Sequence, residues 1–302
     1  MFRFPRAAAA LLSLSLVVAA CGDDSILSPG IPAPDPEATD SASTTSGARP
    51  TTTQVSRTTE APPGTTDGPD TTGAPDTTDP PPAPIPVVSD SFRSESHADP
   101  PLEIVVVIPV ISGIPQHLAD AINEAIDDGT IPLVDQFKAD VLVMGDYPDD
   151  FGKSQLDFNY FAPWISSELL SIRFHLSLYY QGAAHPFASV FTLNFDPRSG
   201  ALLSLSDVLL PGSVPEVAEL VGERLIENVY DGDEAEASGW IGVMSEAALG
   251  SWWVSPAGLE FGFDQYEVGP GAMGTVAVVI PWSDVGQLID PAGPAGAFAA
   301  QD

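Results

Sequence analysis

Histidine is the side chain best suited to proton transfer near neutral pH, and one of the four histidines lies in an unusual setting. His185 belongs to the segment YYQGAAHPF (residues 179–187), between Gly182 and Pro186. A catalytic histidine needs a nucleophile or an activated water within hydrogen-bond reach. This segment contains no serine, no cysteine and no set of metal ligands. We therefore predict that His185 is structural or part of a binding rim rather than catalytic.

The glycine and the proline around His185 predict a turn at the end of a sheet. Gly182 supplies the backbone freedom for a chain reversal. Pro186 lacks an amide donor, which suits the first position of a strand, and it favours an extended conformation at the residue before it. We expect the His185 ring to lie at the sheet end, hydrogen-bonded to neighbouring backbone or to an acid such as Glu267.

The other residues with catalytic or metal-binding potential form no recognisable site. His97 lies at the exit of a linker, His117 at a helix start, and His175 on the polar face of a strand, where we expect it to be solvated. The acidic segment 146–157 (DYPDDFGKSQLD) lacks the spacing of an EF-hand, which favours a charged loop over a calcium site. The sequence has no G-x-S-x-G, H-E-x-x-H, C-x-x-C or phosphate-binding loop motif. We predict no catalytic residue, no metal and no cofactor, although a serine site assembled by the fold stays open.

The amino terminus resembles a bacterial lipoprotein signal. Two arginines in MFRFPR precede an apolar run over residues 7–20, which is shorter than the ~20 residues that cross a bilayer. VAAC at its end resembles a lipobox, in which the cysteine thiol carries a diacylglycerol after cleavage. Cys21 is the only cysteine in the chain, so no internal disulfide can form. We predict a signal peptide over residues 1–20 and a lipidated Cys21 that holds the protein at the outer face of a bacterial cell membrane. The alternative is an ordinary secretion signal with an incidental cysteine.

Residues 21–89 have the composition of a disordered tether. They are rich in threonine, proline, glycine and aspartate, with few residues that a core could bury. Such a segment does not offset the entropy lost on ordering. As a flexible coil it spans about 45 Å root-mean-square, enough to lift a folded domain from a membrane into the cell wall.

The remainder of the chain is strongly acidic. The whole sequence has a net charge of −32, and residues 90–302 hold 32 acidic and six basic residues, a net charge of −26. This charge argues against a nucleic-acid partner and against direct adhesion to anionic lipid. It favours a cationic partner, or it serves solubility alone.

The hydrophobic patterns after the tether predict an α+β fold. LLSIRFHLSLYY (169–180) alternates apolar and polar residues, which is typical of a strand with one buried and one solvated face. QLDFNYF before it and FASVFTLNF after it predict antiparallel neighbours. Upstream, LEIVVVIPV predicts a buried strand, and PQHLADAINEAIDDG an amphipathic helix that stops at Gly129, with a second helical stretch continuing after it.

Toward the carboxyl terminus we predict a helix, a hairpin, a strand and a short closing helix. Ser213 and Glu216 have the spacing of a capping box at the start of the helix. WWVSPAGLEFGF predicts the hairpin, GTVAVVIPW the strand and SDVGQLI the closing helix. The result is a curved antiparallel sheet with packed helices, divided into an α+β subdomain at residues 90–165 and a second domain at residues 166–302.

Two stretches of the second domain resemble a known extracellular family. YYQGAAHPFASVFTLNFDPRSGALLSLSDVL and WWVSPAGLEFGFDQYEVGPGAMGTVAVVIPWSDV are similar to an extracellular domain of lysozyme-sensing anti-sigma factors. That domain also occurs in accessory regions of peptidoglycan deacetylases and in secreted mycobacterial immunogenic proteins. The positions that match the family's pattern are Gly182, Ala184, His185, Pro186, Ser199, Gly200, Leu205, Asp207, Phe263, Tyr266, Glu267, Val268 and Gly274. Ala183 replaces the second glycine of the family's turn, where a positive φ would be strained.

The resemblance implies an envelope binding or sensing module. It adds Tyr266 and Glu267 to Gly182, His185 and Pro186 as candidate binding or structural residues of the rim. The family's transmembrane helix, sigma-binding segment and deacetylase catalytic domain have no counterpart in this sequence. The implied role is therefore recognition of a ligand, and the resemblance does not select the ligand.

Two functions of different classes follow from these observations. The first is a non-enzymatic, lipid-anchored envelope protein that binds a wall component such as peptidoglycan, or a cationic protein similar to lysozyme. The alternative is an envelope hydrolase acting on wall glycan, which needs two carboxylates ~5–9.5 Å apart in a cleft. Because residues 90–302 hold 32 acids, chance pairs are expected, and the sequence does not choose between the two functions.

Overall fold

The computed structural model describes residues 82–144, 152–242 and 244–299. The predicted signal peptide, Cys21, the tether up to residue 81 and half of the acidic segment 146–157 lie outside the described residues. The strands are β1 (Val87–Ala98), β2 (Pro101–Ser112), β3 (Ser154–Ile165), β4 (Leu170–Tyr179), β5 (Phe187–Asp196), β6 (Ala201–Leu202), β7 (Trp252–Ser255), β8 (Gly258–Phe263) and β9 (Val276–Pro281). The helices are α1 (Gln116–Met144), α2 (Val214–Val229), α3 (Glu234–Ala237) and α4 (Trp282–Val285). The predicted α+β class is confirmed.

Strands β1 to β6 form one sheet in chain order. Every pair is antiparallel except β2 and β3, which are parallel and are joined by the long helix α1. A parallel pair needs such a crossover connection, because its strands cannot be joined by a tight turn. The prediction of an antiparallel sheet is therefore correct for β3, β4 and β5, and the sheet as a whole is mixed. The predicted domain boundary at 165/166 falls between β3 and β4, two paired strands of this sheet.

Strand β1 begins inside the segment predicted as tether, so the folded part starts earlier than predicted. Val87 pairs with Ser112, and the ladder continues until Ala98 pairs with Pro101. His97, which we predicted at a linker exit, lies in this strand. The main-chain hydrogen bonds to β2 order these residues although none of them is buried.

Helix α1 is continuous for 29 residues, so the predicted stop at Gly129 is wrong. Gly129 packs beside Leu193 of β5, and a Cβ there would lie 3.4 Å from that side chain. Thr130 donates a hydrogen bond to the Ile126 carbonyl at 2.8 Å. Pro132 lies inside the helix and removes one main-chain hydrogen bond, but the packing of Ile126 and Phe137 on the sheet holds both halves together. No helix in the described part of the chain is both long enough and apolar enough to span a membrane.

Strands β7, β8 and β9 form a second, antiparallel sheet. The hairpin, strand and closing helix predicted for this region are confirmed at β7–β8, β9 and α4. The buried stripe Val217, Val221 and Leu225 of α2 packs in the same hydrophobic cluster as Phe261 and Ile280. Helix α2 begins where predicted, but its start has no capping box.

Ser213 precedes α2 in a helical conformation, and its side chain makes no capping hydrogen bond. Capping contacts occur instead at the preceding 3₁₀ helix, Leu205–Asp207. There the Asp207 carboxylate accepts hydrogen bonds from the Ser204 amide at 2.8 Å and the Ser204 hydroxyl at 2.6 Å. Ser213 and Glu216 have the right spacing, but the capping box requires an extended N-cap residue.

The polar face of β4 is covered, which corrects the prediction of a solvated face. Ser171 is fully buried, and its hydroxyl lies 3.4 Å from the Val254 amide of β7. The Arg173 guanidinium stacks 5.0 Å from the ring of Trp253 and 5.8 Å from the ring of Phe161. Alternation of polar and apolar residues normally indicates water on one side. Here the second sheet takes the place of water at Ser171 and Arg173.

Candidate functional site

The candidate site is built around the loop of residues 264–274, which connects β8 to β9 and lies against the start of β5. Gln265 attaches this loop to the strand through its main-chain amide and through its side chain. Its main-chain amide donates to the Ala188 carbonyl at 3.1 Å, and its side-chain oxygen accepts from the Ala188 main-chain amide at 2.9 Å. The Gln265 side-chain nitrogen donates to the Gly271 carbonyl at 2.7 Å, which closes the loop on itself.

Asp264 provides the second attachment of the loop to β5. One carboxylate oxygen accepts from the Ser189 hydroxyl at 2.7 Å and from the Val190 amide at 2.8 Å. Burial raises the pKa of the Asp264 carboxyl, while these two hydrogen bonds and the nearby His175 oppose the shift. The carboxylate is thus held as an acceptor for the strand rather than left free in a cleft.

Glu267 folds back toward the start of the loop. Its carboxylate accepts from the Asp264 amide at 2.8 Å. Partial burial raises the pKa of the Glu267 carboxyl; the hydrogen bond opposes this shift, and the negative charge of Asp264 reinforces it. We expected Glu267 as a partner of His185, but it stabilises the loop that carries Tyr266.

The far side of the loop is attached to α2. Tyr230, the residue after that helix, is buried, and its hydroxyl donates to the Val268 carbonyl at 2.5 Å. Val268 is itself almost fully buried. The loop is therefore fixed on two sides, by Asp264 and Gln265 against β5 and by Val268 against the end of α2.

Tyr266 sits at the apex of this fixed loop with φ of 73°. A tyrosine in the left-handed region is strained, so the surrounding contacts must hold it there. Its side chain is 48% exposed. A Cβ at Gly271 would lie 2.2 Å from the Tyr266 ring, so the ring occupies space that only a glycine leaves open.

Tyr266 and His185 form a hydrogen-bonded pair at the surface. The tyrosine hydroxyl lies 2.8 Å from Nε2 of His185, and Nδ1 lies 2.8 Å from the Pro186 carbonyl oxygen. A carbonyl only accepts, so in the neutral imidazole Nδ1 carries the proton and Nε2 accepts from the tyrosine hydroxyl. We call these two exposed side chains, with the flanking Gly182 and Pro186, the His185–Tyr266 rim.

The turn before the rim has the backbone freedom that the sequence indicated. Gly182 has φ of 85°, and the Ala183 amide donates to the Tyr180 carbonyl at 2.9 Å. Among the described residues, the positive φ values outside glycine are at Asp231 and Tyr266, so Ala183 carries no such strain. The residue that replaces the family's second glycine is therefore accommodated without cost to the turn.

His175, predicted to be solvated, is half-buried below the loop. Its Nε2 lies 3.4 Å from the Thr275 hydroxyl, and its proximity to Asp264 opposes the rise in the pKa of that carboxyl. The Ser189 hydroxyl donates to Asp264 and not to a histidine, so this cluster lacks the nucleophile–base pair of a serine hydrolase. In the described segments, no group of three or more histidine, cysteine, aspartate or glutamate side chains is arranged to hold a metal ion.

The comparisons with known proteins agree with this architecture. Residues 206–283 match the model of DUF3298, described as a protein of unknown function. This range includes α2, the second sheet and the loop with Tyr266, whereas His185 lies before it. No curated protein sequence matches the chain.

Two solved structures share the fold over most of the domain. One is a DUF3298 family member from Bacteroides fragilis, with 16% identity, a TM-score of 0.55, and coverage of 72% of this chain and 98% of its own. The other is a DUF3298 family protein from Pseudomonas aeruginosa, with 15% identity, a TM-score of 0.51, and coverage of 70% of this chain and 96% of its own. The chain thus has a segment similar to DUF3298 and a fold shared with proteins of that family. The resemblance to anti-sigma factors, deacetylase accessory regions and mycobacterial immunogenic proteins stays a prediction.

Proposed function

We propose that this chain is a lipid-anchored cell-envelope protein whose folded domain binds a ligand without catalysis through the His185–Tyr266 rim. The ligand is a wall component or a cationic protein at the outer face of the membrane. The anchor rests on the lipobox-like VAAC sequence and the single Cys21. The acidic domain, with a net charge of −26 over residues 90–302, supports the cationic alternative for the ligand.

The strained, exposed Tyr266 is the observation that carries the proposal. Folding normally avoids a left-handed tyrosine, and such a residue persists only where its surroundings hold it. Here the side chains of Asp264, Gln265 and Glu267 all bind main-chain groups of the loop or of β5. The result is a rigid aromatic side chain presented to solvent, and a ligand that stacks on it pays little entropy for ordering the protein.

The hydrogen bonds made by Asp264 and Glu267 favour a binding function over hydrolysis. A glycan hydrolase needs one carboxyl to protonate the leaving oxygen and a second to act as base or nucleophile. Asp264 and Glu267 instead accept hydrogen bonds from the protein's own amides and from Ser189. Burial raises the pKa of both carboxyls, and the hydrogen bonds with which they fix the loop oppose that shift.

Calorimetric titration tests the proposal. The purified protein is titrated with soluble peptidoglycan fragments and, separately, with lysozyme, and the same preparation is assayed for release of reducing sugar from purified cell wall. We expect saturable binding to one of the two ligands and no release of sugar. Absence of binding to both would refute the proposal, and release of sugar above a heat-inactivated control would establish the hydrolase instead.

A further inference from the structure

A groove separate from the rim runs along α2. It has a volume of about 560 Å³ and lies between α2 and the segment that begins with α3. Pro215, Ala218, Gly222 and Ile226 line it on the α2 side. These positions are three or four residues apart and therefore form one stripe along the helix. The groove is continuous with the core, because Ala218 belongs to the hydrophobic cluster under α2.

The opposite wall is also apolar. Ala237, Ile241 and Met244 face the stripe of α2 across the groove. Ile241 and Met244 pack against the core cluster but remain only partly buried. Gly222 leaves room in the groove: a Cβ there would lie 3.8 Å from the nearest atom, Cγ of Met244, which is an ordinary van der Waals distance. An apolar surface of this kind gains free energy when a partner covers it.

The borders of the groove carry one sign of charge. Glu219 and Glu223 are one turn apart on α2, and Glu234 stands on the other wall. All three are exposed, and no lysine or arginine lines the groove in the described residues. Arg224 is directed elsewhere, because its guanidinium pairs with Glu227 at 2.6 Å and with Asp284 at 2.7 Å. Because like charges one turn apart destabilise a helix, the repulsion between Glu219 and Glu223 weakens α2 slightly.

We propose that this groove binds a cationic amphipathic segment of a partner protein. The apolar face of that segment covers the floor, and its lysines or arginines lie between Glu219, Glu223 and Glu234. An amphipathic helix in an apolar groove is a recurrent mode of peptide recognition. The negative field of the domain steers a cationic chain toward it. The groove and the His185–Tyr266 rim share no residue, so the failure of one proposal leaves the other intact.

The test uses a labelled 14-residue peptide of leucine and lysine at amphipathic helical spacing, titrated into the purified full-length protein with anisotropy as the readout. The salt concentration is physiological, so that weak long-range attraction is screened. We expect saturable binding of one peptide per protein. Glu219→Lys combined with Glu223→Lys should weaken it at least ~10-fold. Gly222→Phe, which fills the groove and leaves every charge in place, should weaken it as well.

A matched control distinguishes attraction by the glutamates of the groove from attraction by the net charge of the whole domain. Glu124→Lys with Asp128→Lys makes the same charge change one turn apart on an exposed face of α1. We expect this pair to leave the affinity within about threefold of the original. All variants are compared by circular dichroism, so that only folded protein is scored.

Four results would overturn the proposal. Equal loss of affinity in the α1 control, or equally tight binding of an oligolysine of the same charge, would show diffuse attraction without a groove. Unchanged binding by Gly222→Phe would place the peptide elsewhere. Self-association of the protein alone, abolished by Gly222→Phe in sedimentation, would assign the groove to a second copy of the chain.

Discussion

The hydroxyl of Tyr266 lies 2.8 Å from Nε2 of His185, and this contact joins two residues that are 81 positions apart in the sequence. It connects the turn before β5 to the loop before β9, and hence the first sheet to the second. The His185 ring is fixed on its other side by the Pro186 carbonyl. The pair is therefore both a structural tie and the exposed part of the proposed binding surface.

A double-mutant cycle measures this tie. We expect His185→Ala and Tyr266→Phe each to lower the free energy of unfolding by about 0.5–1.5 kcal/mol, the net value of one hydrogen bond. The double variant should lose less than the sum, because either change alone removes the shared contact. Urea denaturation gives the three values. Strict additivity would show that the two side chains do not interact in solution.

The partly buried Asp264 predicts a pH dependence of stability. Burial raises the pKa of the folded-state carboxyl above its value in the unfolded chain, ~3.9, so folding favours the protonated form. The stability contributed by this group is therefore fully present below the unfolded pKa and is lost as the pH rises through the folded pKa. We expect the wild type to lose stability relative to Asp264→Asn between pH 3 and pH 7, measured by urea denaturation.

The amide of Asp264→Asn keeps an oxygen that can accept from Ser189 and Val190, and it carries no buried charge. At pH 7 this variant should be as stable as the wild type or more stable. Asp264→Ala leaves both donors unpaired and should cost about 1–3 kcal/mol. A stability difference between wild type and Asp264→Asn that does not change with pH would show that the carboxyl is not perturbed.

Two glycine-to-alanine substitutions should have opposite effects. In Gly271→Ala the new methyl group overlaps the Tyr266 ring, which must leave its position beside His185. We expect a stability loss of about 0.5–1.5 kcal/mol, the net value of the lost hydrogen bond to His185, and a loss of binding at the rim. Gly222→Ala meets no close atom and lies inside α2, so it should stabilise the protein by roughly 0.5–1 kcal/mol. Thermal unfolding of both variants, with titration of the rim ligand, checks the contrast.

The lipid anchor is tested through Cys21. Without the thiol there is no acceptor for the diacylglycerol, so Cys21→Ala should move the protein from the membrane fraction into the medium or leave its signal peptide uncleaved. Cell fractionation followed by mass spectrometry of the amino terminus distinguishes these products. A cleaved Cys21→Ala protein that stays in the membrane fraction would contradict the lipobox interpretation.

The sequence predicted the positions of the secondary-structure elements better than it predicted what covers their faces. The alternation in residues 169–180 located β4, and the alternating apolar residues of WWVSPAGLEFGF predicted the hairpin of β7 and β8. The same alternation indicated water on one face of β4, whereas Ser171 and Arg173 face the second sheet. Polar side chains alternate in the same way whether water or another sheet satisfies them, so the pattern does not distinguish the two.

Predictions from short sequence signals were also wrong where tertiary contacts determine the local structure. Gly129 is a common helix terminator, but here it lies inside α1, where contact with Leu193 and the apolar stripe of the helix outweigh its low helix propensity. Ser213 and Glu216 are correctly spaced for a capping box that does not form. The spacing of Ser213 and Glu216 makes a capping box possible. Whether it forms depends on the backbone conformation at Ser213, which is set by the packing of α2.

The candidate site was predictable only in part. His185, Gly182 and Pro186 stood out through the turn chemistry, and Tyr266 through the resemblance. Asp264 and Gln265, which hold the loop in place, left no signal because the family pattern leaves both positions open. The left-handed conformation of Tyr266 is equally invisible in the sequence, since tyrosine ordinarily avoids it and nothing local requires it.

The most direct test of the proposed function compares ligand binding by Tyr266→Asn with binding by Trp240→Ala. Asparagine tolerates the left-handed backbone of residue 266, so the first variant removes the aromatic ring while keeping the loop. Trp240 is a similarly exposed aromatic outside the rim and serves as the matched control. In calorimetric titrations with the ligand that the wild type binds, we predict at least ~10-fold weaker binding by Tyr266→Asn and unchanged binding by Trp240→Ala. Equal affinity of wild type and Tyr266→Asn would contradict the proposal that this rim is the binding surface.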